Sequence, residues 1–236
     1  MKLKSIILIV LGVLIAAYPL VKSTYTRYKQ QELLNKWEEE MNRRKQAEAN
    51  QRNADDTNDS ARNMDGITEE PSDEAIEAYL YLGDSYSQVE SEDNESASNQ
   101  NKKPIETIGV LKIDKINANL PIMEGTSSSV LKLGVGKLEG TSDFGEIGNT
   151  VLSAHRSHSY GQNFNRLNEA TEGDIISITT MEAVYNYEVF SVFVVEPSDV
   201  SVLKKSKSES ILTLITCHPL YIASHRLIVQ ARLLPE

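Results

Sequence analysis

The 236-residue chain has one cysteine, Cys217, and a single thiol excludes any intrachain disulfide. Basic charge is also short: 24 Lys and Arg stand against 34 Asp and Glu, a net charge of −10. That balance argues against nucleic acid as a partner. The deficit is local, because residues 51–103 carry fourteen acidic side chains and only Arg52, Arg62, Lys102 and Lys103 to offset them. The remainder is close to neutral. Long apolar runs are missing apart from one, Ser5 to Val21, and the last residues before Glu236 form no apolar tail.

That one run lies at the short end of the roughly 17–25 residues that cross a bilayer core. A cleaved signal peptide would need a shorter apolar core and small residues at its cleavage site. Ala16-Ala17-Tyr18 fits this poorly, and Pro19-Leu20-Val21 prolongs the apolar stretch. The expectation is therefore an uncleaved membrane anchor over residues 5–22, after a short tail of residues 1–4. Charge does not orient it, since Lys22, Arg27 and Lys29 follow the run about as densely as Lys2 and Lys4 precede it.

Residues 23–50 carry Leu33, Leu34, Trp37 and Met41 at helical spacing, with Glu32/Lys36 and Glu40/Arg44 four apart. This pattern predicts a polar stalk helix, solvated in preference to paired in a coiled coil. Residues 51–104 have the composition of a disordered acidic linker. Within it, residues 74–82 could form a helix with Ile76, Tyr79 and Leu80 on one face, either docked on the following domain or transient in a tether.

From residue 105 to 236, short apolar stretches alternate with Gly, Pro, Asn and Ser, the pattern of an all-β domain. Strands are expected at 107–113, 119–122, 149–154, 174–179, 185–195, 211–216 and 226–233, with helical turns near 130–132 and 164–170. Several look buried on both faces, as in a closed barrel.

Cys217 ends one expected strand and Arg226 begins the next. If the two run antiparallel, thiol and guanidinium share a rim, where the cation could steady an oxyanion. A thiol reacts as thiolate and needs a base or a cation beside it. The four histidines are candidates. His155 closes the 149–154 strand, whereas His218 points away from its neighbour in extended chain, and His158 sits in a serine-rich loop. Two other readings stay open on the residues alone. Cys217 could be a packed small hydrophobe. Zinc could also be held among His155, His158, Cys217, His218 and His225, although their spacing forms no standard ligand pair.

Three stretches carry a resemblance. Thr213-Leu-Ile-Thr-Cys217 matches the Thr-Leu-x-Thr-Cys motif of the sortases, the cysteine transpeptidases of Gram-positive cell surfaces. Asn149 to Arg156 resembles that family's histidine strand, and His225-Arg226-Leu-Ile-Val its arginine strand. Gly109 to Ile116 and Leu120 to Thr126 are similar to its opening strands. The resemblance implies a closed eight-stranded β-barrel without cofactor or metal. It implies Cys217 as nucleophile, His155 as general acid/base, Arg226 as oxyanion stabiliser and Thr216 in the substrate groove. It further implies cleavage of an LPxTG-like sorting signal between Thr and Gly, then transfer to an amine of a peptidoglycan precursor or a pilin. The anchor is then expected with its N-terminus cytoplasmic and the domain outside, and the acidic linker as a tether of flexible reach. Phe164-Asn-Arg-Leu and Gly173-Asp174 look more like class D. A class C enzyme would bring a second membrane segment and a lid with Asp-Pro-aromatic, which Asp84-Ser85-Tyr86 echoes only faintly. A surface binding module on the same barrel, without catalysis, is the alternative of a different kind.

Overall fold

The computed structural model describes residues 3–51, 69–87 and 105–235. Most of the expected acidic linker, residues 52–68 and 88–104, lies outside the described residues.

Eight strands close into a barrel: β1 (Thr107–Ile113), β2 (Ala118–Glu124), β3 (Val135–Lys137), β4 (Gly148–Ser153), β5 (Ile175–Thr179), β6 (Val184–Val195), β7 (Ser210–His218) and β8 (His225–Leu233). Around the barrel their order is β1-β2-β3-β4-β7-β8-β6-β5. Neighbours are antiparallel except β2 with β3 and β4 with β7. The expected strands all form, with ends that shift by a residue or two. The strand the sequence pattern misses is β3, three residues long. Its Gly136 is required because a side chain there would run into the Gly125 carbonyl.

Residues alternate across each strand, and here the two faces bury different cores. Leu212 and Leu214 of β7 point inward with Leu111, Ile122, Leu152, Phe164, Tyr187 and Val229. Ile215 of β7, Val151 of β4 and Ile228 of β8 point outward, into a second cluster that covers the barrel wall from outside. A 3-10 turn, Val200–Leu203, supplies Val202 and Leu203 to that cluster. Two-faced burial explains why β7 shows no alternation of apolar and exposed polar residues.

Two helices from the N-terminal half pack on the barrel. The first, α1 (Leu3–Gln51), is continuous. Its second half lies against β1, β2 and the short helix α3 (Ser128–Leu133), burying Leu34 and Trp37. The helix expected to be solvated is therefore docked on one side, because Gln30, Leu34 and Trp37 form a stripe at i, i+4, i+7. Its first turns expose Ile7, Leu8, Ile9, Val10, Leu11 and Val13. Among the described residues no helix is long and apolar enough to cross a membrane.

The second helix, α2 (Asp73–Ser87), lies in the stretch where docking was one of two expectations. It docks. Ser72 caps it, accepting from the Ala75 amide at 3.2 Å, and donates to the Gly140 carbonyl at 3.1 Å. Just upstream, Glu69 and Lys205 exchange backbone hydrogen bonds of 2.9 and 3.0 Å. Ala75, Tyr79 and Leu82 enter the outer cluster, whereas Leu80, expected on the buried face, is exposed.

Candidate active site

The ends of β4, β7 and β8 lie side by side, with β7 in the middle. In the β7–β8 ladder Cys217 stands directly opposite Arg226. In the parallel β4–β7 ladder Ser153 is paired with Ile215. Continuing that register by two residues brings His155 level with Cys217. Alternation puts all three on the outer face, since Val151, Ile215 and Ile228, each two or four residues away, belong to the outer cluster. Neighbouring strands are about 4.8 Å apart, so histidine, cysteine and arginine form a row across three adjacent strand ends.

Thr216 lies on the other face. It is fully buried, and its hydroxyl donates to the Ala154 carbonyl at 2.8 Å. Thr216, expected in the substrate groove, lies on the inner face in this structure and ties β7 to the residue before His155. Thr213, on the outer face, donates to Asn149 Oδ1 at 2.8 Å. The Asn149 amide in turn donates to the Val202 and Lys204 carbonyls at 2.9 and 3.1 Å, holding the β6–β7 connection onto β4.

Arg226 is 4 % exposed, and its Nη1 donates to the Ala223 and His225 carbonyls at 3.2 and 3.1 Å. Those bonds fix the guanidinium over the β7–β8 turn. A second cation, Arg156, follows His155. Its Nη1 is 2.9 Å from His218 Nδ1 and donates to the Cys217 carbonyl at 3.4 Å, and its Nη2 donates to Asn168 Oδ1 at 2.7 Å. Arg156 thereby clamps the end of the cysteine strand to the loop after the histidine. The sequence marked Arg156 only as a neighbour of His155; its spacing carried no signal of this clamp.

That loop is also held from α1. Gln30 Nε2 donates to Asn163 Oδ1 at 2.6 Å, and Asn163 Nδ2 donates to the Leu131 carbonyl at 3.5 Å. Asn163, with φ of 45°, bridges to Arg156, and the next amide, Phe164, donates to the His155 carbonyl at 3.1 Å.

The site is covered. Cys217 is 8 % exposed, and burial pushes its thiol up to about 11, with Arg226 and then Arg156 opposing. Burial pushes His155 down to about 4, helped by Lys132. Beside the site, α2 shares the outer cluster with Ile215 and Ile228, each two residues from Cys217 or Arg226. Burial pushes its Tyr79 phenol up to about 12, and the Arg226 charge works against that rise, which puts Tyr79 within the field of the guanidinium. In this arrangement both the thiol and the imidazole are neutral at pH 7.

The other histidines turn elsewhere. His218 faces Arg156, His225 Nε2 lies 3.2 Å from Glu196, and His158 packs on Tyr221 with ring centroids 4.5 Å apart. Among the described residues no group of three or more His, Cys, Asp or Glu could hold a metal ion. The zinc reading thus lacks a converging ligand set.

The Sortase domain family model matches residues 111–234, more than half of the chain. The chain belongs to the sortase family. It is 35% identical over 111 residues to Sortase D of Bacillus subtilis, covering 47% of this chain and 54% of that protein. It is 30% identical over 156 residues to Sortase A of Streptococcus agalactiae, covering 63% and 62%. This sortase therefore spans little more than half the length of those curated relatives. Solved structures agree on the barrel. Group B Streptococcus Pilus Island 1 Sortase C2 matches with a TM-score of 0.52 and 32% identity, over 70% of this chain and 99% of that one. A lid mutant of Sortase A from Corynebacterium diphtheriae matches with 0.54 and 27%, over 70% and 96%. A Clostridium perfringens Sortase D5 transpeptidase matches with 0.51 and 29%, over 67% and 92%.

Proposed function

We propose that this sortase is a membrane-anchored cysteine transpeptidase that cuts LPxTG-like sorting signals between Thr and Gly. The observation that carries the reading is the row of His155, Cys217 and Arg226 across the ends of β4, β7 and β8. The Cys217 sulfur attacks the Thr carbonyl as His155 takes its proton, and the tetrahedral oxyanion forms beside the Arg226 guanidinium. His155 then gives the proton to the leaving Gly amine, leaving a thioester on Cys217. An amine, from a peptidoglycan precursor or a pilin lysine, attacks the thioester and restores the thiol. The chemistry needs no cofactor.

Class D is the preferred assignment, supported by the likeness to Sortase D. Anchoring is read from the Ser5 to Val21 run and the exposed apolar side chains at the start of α1, with the N-terminus cytoplasmic and the barrel outside. The helix α2 is read as a lid that must lift before a sorting signal can reach Cys217. The test is incubation of the full chain with a sorting-type peptide and an amine acceptor. Ligated product that disappears with Cys217→Ala supports the reading; no cleavage of any sorting-type peptide, or full activity in Cys217→Ala, contradicts it.

A further inference from the structure

Two loops at the rim of the site expose large side chains. Tyr160, in the loop after β4, is 70 % exposed, and Tyr221 and Ile222, in the β7–β8 turn, are 72 % and 71 % exposed. Both loops belong to the strand ends that carry His155, Cys217 and Arg226. They touch each other, His158 packing on Tyr221 at 4.5 Å. They also touch α1: Arg27 Nη2 donates to the Tyr160 carbonyl at 3.2 Å, and Gln30 holds Asn163 three residues further on.

That contact sets a height. The apolar run of α1 ends at Val21 and the helix continues unbroken to Arg27. Six residues of helix rise about 9 Å, roughly the depth of a headgroup layer. On this stretch Val21, Tyr25 and Tyr28 are exposed and share a face at i, i+4, i+7. Amphipathic aromatic rings just beyond an apolar span are the usual occupants of the membrane–water boundary, where the ring is buried and the hydroxyl stays wet. Because α1 is docked to the barrel through Leu34 and Trp37, the tilt of the barrel follows the helix.

We propose that the active-site rim, Tyr160 with Tyr221 and Ile222, rests on the lipid headgroup layer, so that the site opens along the membrane surface. The proposal builds on the anchor reading above. It gives those exposed side chains an occupant, the headgroup layer of the bilayer. It also replaces a tether of free reach by a fixed height, at which a polypeptide itself held at the membrane meets Cys217.

The experiment uses the full chain in phosphatidylcholine vesicles. Trp37 is the only tryptophan, and its buried indole N–H makes no hydrogen bond, so Trp37→Phe gives a silent background. Tyr221→Trp then reports the rim. Val184→Trp reports the opposite end of β6, eleven residues from Val195, which pairs with Arg226. With lipids carrying a nitroxide quencher on the headgroup, emission from position 221 should be quenched at least threefold more than from position 184. Equal quenching, in protein that stays with the vesicles through an alkaline wash, overturns the rim proposal and leaves the anchor intact. Protein that washes off overturns the anchor reading and the rim proposal with it. Neither readout depends on enzymatic activity.

Discussion

The Thr216 hydroxyl donates to the Ala154 carbonyl at 2.8 Å, fastening the strand that ends in Cys217 to the residue that precedes His155. Both groups are fully buried. Thr216→Val keeps the shape and leaves the carbonyl without this donor, which costs about 1–3 kcal/mol. Chemical denaturation should show that loss. Peptide cleavage should fall through kcat more than KM, since the substitution disturbs the alignment of the two groups and no substrate contact. A rise in KM alone would return Thr216 to the groove.

The neutral thiol and imidazole follow from burial, so uncovering them has a predictable sign. Weakening α2 with Tyr79→Ala or Leu82→Ser should bring the Cys217 thiol down from about 11 and the His155 imidazole up from about 4, because burial is the first cause of both displacements. Alkylation of Cys217 at pH 8, followed by intact mass, should be at least about tenfold faster, since a drop of one pKa step multiplies the thiolate tenfold. Unchanged alkylation would show that α2 is not what covers the sulfur.

His155 also links stability to pH. Its folded-state pKa, about 4, lies below the ordinary value of 6.5, so between these values the unfolded chain binds the proton more tightly. The contribution of the neutral imidazole is complete above about pH 6.5 and is lost as the pH falls to about 4. Denaturation midpoints of the wild type should therefore fall more steeply across this window than those of His155→Gln. Parallel curves would mean that His155 is accessible to protons in the folded protein.

Arg156 holds the end of the cysteine strand through the Cys217 carbonyl and His218. Arg156→Lys keeps the charge and loses the fork, whereas Arg156→Ala loses both. Since this cation opposes the rise of the Cys217 thiol, Arg156→Ala should move the alkylation pH profile upward and Arg156→Lys should leave it nearly in place. Both should lower kcat. An upward move with Lys equal to that with Ala would assign the effect to geometry alone.

The sequence disclosed the barrel and the chemistry-bearing strand ends because alternation and turn residues are local signals. Cys217 and Arg226 could be placed on one rim from eight intervening residues. The β3 strand escaped because three residues with a central glycine show no period. The face that Thr216 occupies could not be read, because a strand buried on both sides has no polar face to mark its orientation. Asn163 and Gln30 are 133 residues apart in sequence, and nothing local announces such a pair. The docking of α2 rests on Ala75, Tyr79 and Leu82 finding Ile215 and Ile228 on the outside of the barrel, a surface visible only once the strands are closed.

The most direct test of the account is intact mass spectrometry of the full chain quenched in acid during turnover of a sorting-type peptide. The account predicts an adduct equal in mass to the peptide up to its Thr, mapped to Cys217, lost on adding an amine with appearance of the ligated product, and missing in Cys217→Ala. Cleavage that proceeds with no adduct on Cys217, or an adduct on another residue, would contradict it.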